Sequence, residues 1–174
     1  GIATLASRFA FEVSDLPVKV LDTRKTTPLI RFLEKWAVKI GGCENYRWGL
    51  YDWIMIKDNH VDAAGGIRPA VERAQAYLKE HNLSMGITVE VRNLVEVHEV
   101  MEVGGITRVM FDNFEIPILA EAVATVDGKF ETEASGGITL YNVRKYALTG
   151  VNFVSTGALT HSASTLDLSL KIQK

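Results

Sequence analysis

The stretch Ile87 to Phe111, ITVEVRNLVEVHEVMEVGGITRVMF, decides the fold. It opens on Ile87-Thr-Val-Glu-Val91, a short β-branched run that is apolar apart from Thr88 and Glu90. Such a run suits a strand buried on both faces. Leu94, Val97 and Met101 then recur at helical spacing and stop at Gly104 and Gly105. Arg108-Val-Met-Phe111 is a second run of the first kind. Strand, helix and strand in so short a span form the unit that joins parallel neighbours in a sheet.

Outward from this unit the rhythm repeats. Lys19–Asp22 and Trp53–Lys57 precede it as predicted strands, and Phe130–Ala134 and Asn152–Ser155 follow it. Thr27 is expected to cap a helix with Pro28 in its first position. Leu29, Phe32, Leu33, Trp36, Ala37 and Ile40 then make one apolar stripe, with Arg31, Glu34, Lys35 and Lys39 on the other side. The pattern predicts an amphipathic helix with its stripe toward the core, stopped by a left-handed Gly41. Ile67, Ala70, Val71, Ala74, Tyr77 and Leu78 repeat it, and Leu140, Val143 and Ala147 do so up to Gly150. About six alternations predict an α/β chain with a parallel sheet and helical crossovers. Periodicity leaves open whether the sheet closes as a barrel or stays open and doubly wound.

Composition narrows the function classes. A length of 174 residues suits one domain, and 47% hydrophobic residues suffice for a sizeable core. A formal net charge of -2 argues against nucleic acid as a partner. No apolar run is long enough to predict a membrane span. Residues Gly1 to Val13 lack the charged start and apolar run of a signal peptide. The single cysteine, Cys43, fits a reducing, cytoplasmic setting. It has no activating partner nearby in sequence, so a nucleophile is not expected there. The apolar opening without a methionine reads as a helix and gives the expectation that an upstream domain is missing.

Each predicted strand is followed by residues that a buried loop has no use for. They are Asp22-Thr-Arg-Lys-Thr-Thr-Pro28, Lys57-Asp-Asn-His60, Glu90, Asp112-Asn113, Ser135-Gly-Gly137 and Thr156-Gly-Ala-Leu-Thr-His161. In α/β barrels these strand ends share the face that carries the active site. Arg24, Lys25, Arg47 and Lys57 supply cations, and His60 and His161 supply further donors. Arginine offers a planar fork that holds a carboxylate through two hydrogen bonds. The cluster therefore points to a ligand with several negative charges. The turns at Ser135-Gly136-Gly137 and Thr156-Gly157-Ala158 run from strand toward helix, where glycine lets backbone N–H groups approach a phosphate. Glu90 and Asp112 in such surroundings suggest ribose hydroxyls or Mg²⁺, which prefers oxygen ligands. Plainer roles compete: Glu90 as an ion-pair partner of a lysine, Asp112-Asn113 as a turn, His81 and His98 as solvated residues, and Trp36, Trp48 and Trp53 as packing.

Taken together, Asp22-Thr-Arg-Lys-Thr-Thr-Pro28, Lys57-Asp-Asn-His60, Glu133-Ala-Ser-Gly-Gly-Ile138 and Gly157-Ala-Leu-Thr-His-Ser162 resemble the quinolinate phosphoribosyltransferases, or carboxylating nicotinate-nucleotide pyrophosphorylases. The first two motifs are specific together; the last two support them. The resemblance implies an incomplete TIM-like α/β barrel of about six to seven parallel strands over residues 1–174. Residues 1–13 would be a helix leading to a missing N-terminal sandwich domain. It implies a homodimer in which the partner's sandwich domain covers the barrel mouth and contributes an arginine. The implied reaction transfers phosphoribosyl from phosphoribosyl pyrophosphate to quinolinate with loss of CO₂, in NAD biosynthesis. Arg24, Tyr46, Arg47 and Lys57 would face quinolinate. Lys25, Ser135, Gly136, Gly157 and His161 would face phosphoribosyl pyrophosphate. Lys25, Lys57, Glu90 and Asp112 would be catalytic, with Glu90 and Asp112 near Mg²⁺, directly or through water. Two positions depart from the family pattern: Tyr46 stands where histidine is usual, and Cys43 where glycine is frequent. A phenol still hydrogen-bonds a carboxylate but carries no positive charge. The rival readings are a relative acting on another pyridine or pyrimidine acid, and a non-catalytic phosphate-binding barrel.

Overall fold

A computed structural model describes residues 1–173. Six short strands carry the fold: β1 (Lys19–Leu21), β2 (Ile54–Ile56), β3 (Ile87–Val91), β4 (Arg108–Asp112), β5 (Glu131–Ser135) and β6 (Phe153–Ser155). They form one parallel sheet in the order β1-β6-β5-β4-β3-β2. First and last strands thus meet, and the seam lies between β1 and β2. A single parallel bridge, Leu21 to Glu44, places the chain after Cys43 beside β1 at that seam. The result is an incomplete α/β barrel, which answers the question periodicity left open. Because every strand runs the same way, all their C-terminal ends lie on one rim.

The helices cover the outside: α1 (Ile2–Glu12), α2 (Arg31–Ile40), α3 (Asp58–Ala64), α4 (Ile67–Glu80), α5 (Leu94–Val103), α6 (Ile116–Val126), α7 (Val143–Ala147) and α8 (Ala158–His161). The unit quoted first behaves as its pattern requires. β3 is buried along its whole length, and Val97 and Val100 of α5 are fully covered. Asn93 caps α5 by accepting a hydrogen bond from the Glu96 N–H at 3.0 Å, as an asparagine at a helix start does. The helix α6, rich in alanine and valine with Pro117 in its first turn, is an element the apolar spacing did not single out.

The region after β1 departs most from expectation. The helix α2 starts at Arg31, not at Thr27-Pro28, and Leu29 takes a positive φ of 70°. The segment before it is drawn across the barrel mouth instead. The Thr160 hydroxyl donates to the Lys25 carbonyl at 2.6 Å, and the Thr27 N–H to Glu34 at 2.9 Å. The faces of α2 are also reversed: Glu34, Lys35 and Val38 are buried, whereas Phe32, Leu33, Trp36 and Ile40 are exposed. The cause is a buried ion pair between Lys35 and Asp22, described below, which turns the apolar stripe outward. Gly42, with φ 88°, takes the left-handed conformation expected of Gly41.

Candidate active site

At the C-terminal rim a cleft of 640 Å³ opens into the barrel. Arg24, Lys25, Tyr46, Arg47, Lys57, Glu90, Asp112, Ser135, Gly136, Gly157 and His161 all line it. His60 does not. Its Nδ1 accepts a hydrogen bond from the Lys57 N–H at 2.9 Å at the start of α3.

The acid-binding candidates converge from two segments. Arg24 follows β1, and Arg47 lies on the chain that bridges to it. The Arg47 guanidinium donates to the Trp53 carbonyl at 3.3 Å and rests 3.5 Å from the Met55 sulfur. Burial, and then the charge of Arg24, hold Arg47 below its ordinary pKa, as expected of two like charges brought together. Among the described residues neither arginine is in an ion pair, and the buried Arg24 Nε has no hydrogen-bond partner. Two partly desolvated guanidiniums without a carboxylate form a strong attractant for a multiply charged anion.

Across the cleft, Lys57 from the end of β2 pairs with Glu90 from β3. The Glu90 side chain is nearly buried and that of Lys57 only half so. Asp112 ends β4, where its Oδ2 accepts from the Asn113 amide at 2.9 Å.

The two glycine turns complete the rim. Gly136 and Gly137 have φ values of 91° and 60°, a pair of left-handed residues that glycine adopts without strain. A Cβ at Gly136 would stand 2.8 Å from the Asn113 nitrogen, so only glycine fits against the end of β4. At the second turn, a Cβ on Gly157 would lie 2.7 Å from His161 Nε2 and 3.0 Å from Lys25 Cδ. Lys25, Gly157 and His161 therefore meet at one spot, although they come from opposite ends of the chain. Helix dipoles contribute less than the sequence suggested: α8 has four residues, and Ile138–Asn142 separate Gly137 from α7.

Tyr46 reaches the cleft wall, but its hydroxyl lies 2.6 Å from the Thr88 Oγ1 inside the barrel. Trp53 Nε1 donates to the same Oγ1 at 2.8 Å, and the Arg108 guanidinium sits 4.9 Å from the Tyr46 ring centre. Burial pushes this phenol above its ordinary range. Below it, Arg108 pairs with Glu133 at 2.9 Å, a fully buried carboxylate whose pKa burial raises against the pull of Arg108. Cys43 is buried with its thiol pushed up to about 12 by burial, which leaves it inert as a nucleophile.

Sequence reading gave no role to Asp22, Lys35 and Asn45, which bond to one another, with Asp22 two residues before Arg24 and Asn45 two before Arg47. Asp22 stood in the motif after the first strand without a role of its own, and Lys35 on the polar side of its helix.

A cleft lined by arginine and lysine on the C-terminal rim of an incomplete parallel α/β barrel defines the class of protein. The family model described as quinolinate phosphoribosyl transferase, C-terminal domain, matches residues 2–171. Quinolinate phosphoribosyltransferase (decarboxylating) 1b of Nicotiana tabacum is 48% identical over 186 residues, which take in 99% of this chain and 53% of that protein. The chloroplastic nicotinate-nucleotide pyrophosphorylase (carboxylating) of Arabidopsis thaliana is 50% identical over the same shares. The solved structure of the nicotinate-nucleotide pyrophosphorylase from Francisella tularensis superposes with a TM-score of 0.93 at 39% identity, covering 99% of this chain and 60% of that one. The chain belongs to the quinolinate phosphoribosyltransferase family and corresponds to its C-terminal domain. It spans about half the length of the curated relatives it matches.

Proposed function

We propose that this cleft binds quinolinate and phosphoribosyl pyrophosphate and joins them to give nicotinate mononucleotide, pyrophosphate and CO₂, a step of NAD biosynthesis. The carrying observation is the convergence of Arg24 and Arg47, free of any carboxylate partner, in one cleft with the Lys25–Gly157–His161 cluster. Arg24 and Arg47 suit the two carboxylates of the acid, with Lys57 in the same cleft. Lys25, His161, Ser135 and the glycine turns suit the phosphates.

In this reading the pyridine nitrogen attacks C1 of the ribose while the C1–oxygen bond to pyrophosphate breaks, and the leaving oxygen keeps the electron pair. Positive charge developing on the sugar faces Glu90 and Asp112, which stabilise it electrostatically. Lys25 balances the charge on the departing pyrophosphate. The new ring nitrogen is cationic, so the bond to the adjacent carboxylate breaks with its electrons drawn into the ring. CO₂ leaves, and the ring carbon takes a proton from water. The acid supplies the nucleophile, so the protein's task is orientation.

Among the described residues no three His, Cys, Asp or Glu side chains form a metal cluster. Mg²⁺ fits in a limited way, because it keeps several waters and binds through one or two carboxylates together with substrate phosphates. Asp112 has one carboxylate oxygen uncommitted, whereas Glu90 is held by Lys57 and would act through water. When bound, such an ion neutralises charge on the leaving pyrophosphate.

A homodimer with a shared site is part of the same proposal. It is supported by the outward apolar face of Phe32, Leu33, Trp36 and Ile40, a patch of the kind that marks protein contacts. No helix among the described residues is long and apolar enough to cross a membrane. A reducing, cytoplasmic setting is proposed on the single buried thiol of Cys43.

Titration calorimetry and CO₂ release, with nicotinate as control acid, test the assignment. Arg24→Ala should weaken quinolinate binding about tenfold or more, the worth of a lost charge-assisted contact, with little effect on phosphoribosyl pyrophosphate. Lys25→Ala should show the reverse preference. Equal loss of both ligands in each variant, or no loss, overturns the assignment.

A further inference from the structure

Arg24 and Arg47 stand on separate segments and repel one another, so something must hold them together. Next to them in the chain lies a closed knot of hydrogen bonds. Lys35 Nζ donates to Asp22 Oδ1 at 2.5 Å, and the side chains of both residues are fully buried. Asn45 Nδ2 donates to Asp22 Oδ2 at 2.6 Å and to the Lys35 carbonyl at 2.9 Å. The Tyr46 N–H donates to Asp22 Oδ1 at 2.8 Å, and Lys35 Nζ reaches the Tyr46 carbonyl at 3.4 Å. The acceptor sits two residues before Arg24, and two of the donors sit one and two residues before Arg47.

We infer that Asp22, Lys35 and Asn45 form a positioning unit that sets Arg24 and Arg47 against each other for a dicarboxylate ligand. The inference rests on the proposed acid-binding role of the cleft. A purely structural role accounts for the knot poorly. A buried ion pair is often no more stabilising than apolar residues of similar volume, and this one turns the apolar stripe of α2 to the outside. Burial also drives Asp22 above and Lys35 below their ordinary pKa values, against the pull of each on the other. What the arrangement does secure is direction. One carboxylate, fixed by a lysine from α2, fastens the Arg47 segment to the end of β1.

The decisive variant is the double change Asp22→Leu with Lys35→Met, which removes the anchor without leaving a buried charge. Asn45→Ala is the milder companion and carries the same comparison where the double variant does not fold. Quinolinate and inorganic pyrophosphate are titrated into each, and amide exchange is followed at Trp48, whose N–H is bonded to Asp52 and not to Asp22. The expected result is a folded variant with about tenfold or greater loss for quinolinate, the loss expected when charged contacts are misaligned, pyrophosphate binding within about threefold of the parent, and faster exchange at Trp48. A folded variant with unchanged quinolinate affinity, or with equal loss of both ligands, overturns the inference. If the parent chain fails to bind quinolinate, the proposed function falls; the exchange result then decides alone, and unchanged protection at Trp48 overturns the positioning unit.

Discussion

The helices α5 and α2 each carry an apolar stripe in sequence and behave in opposite ways. The α5 helix buries Val97 and Val100 against a wholly buried strand. The α2 helix buries Glu34 and Lys35 and shows Phe32, Leu33, Trp36 and Ile40 to the outside. An apolar stripe states which residues share a face; it does not state that this chain covers that face. Where a buried carboxylate such as Asp22 waits at a strand end, a lysine on the polar side of the helix has the stronger claim to the interior.

Three substitutions sharpen this contrast. Lys35→Ala leaves Asp22 buried without its partner and should cost about 3–5 kcal/mol, read as a lower midpoint in urea unfolding. Asn93→Ala removes the cap of α5 and should cost about 1 kcal/mol by the same measurement. Trp36→Ser, in the apolar stripe of α2, should change the stability of the chain by no more than about 0.5 kcal/mol. A large loss from Trp36→Ser, or none from Lys35→Ala, would show that α2 packs as its hydrophobic pattern suggests and not as its buried lysine requires.

Much of the architecture was legible because burial on both faces forces apolar strands. Ile87–Val91 was read with its observed bounds, and the other five strands within one or two residues. The rim residues were legible for a related reason: charge and glycine directly after an apolar strand serve no packing purpose. Residues whose role depends on a distant partner were not legible. Nothing in the order Glu34-Lys35-Trp36 announces that Lys35 meets Asp22, or that Tyr46 turns its hydroxyl to Thr88. The start of α2 was misplaced because Thr27-Pro28 is a good local cap, and the pull of Thr160 on Lys25 across the fold overrides it.

That last contact bears on how the chain folds. Thr160 and Lys25 are 135 positions apart in sequence, and among the described residues β1 pairs along its full length with β6. The middle strands can pair early over short connections. Joining the first strand to the last closes the longest loop between paired strands, a contact with a high entropic cost of closure. The cluster of Lys25, Gly157 and His161 therefore depends on that closure. If the proposed phosphate site lies there, its ligand would bridge segments from the first and last strands and so reinforce that closure.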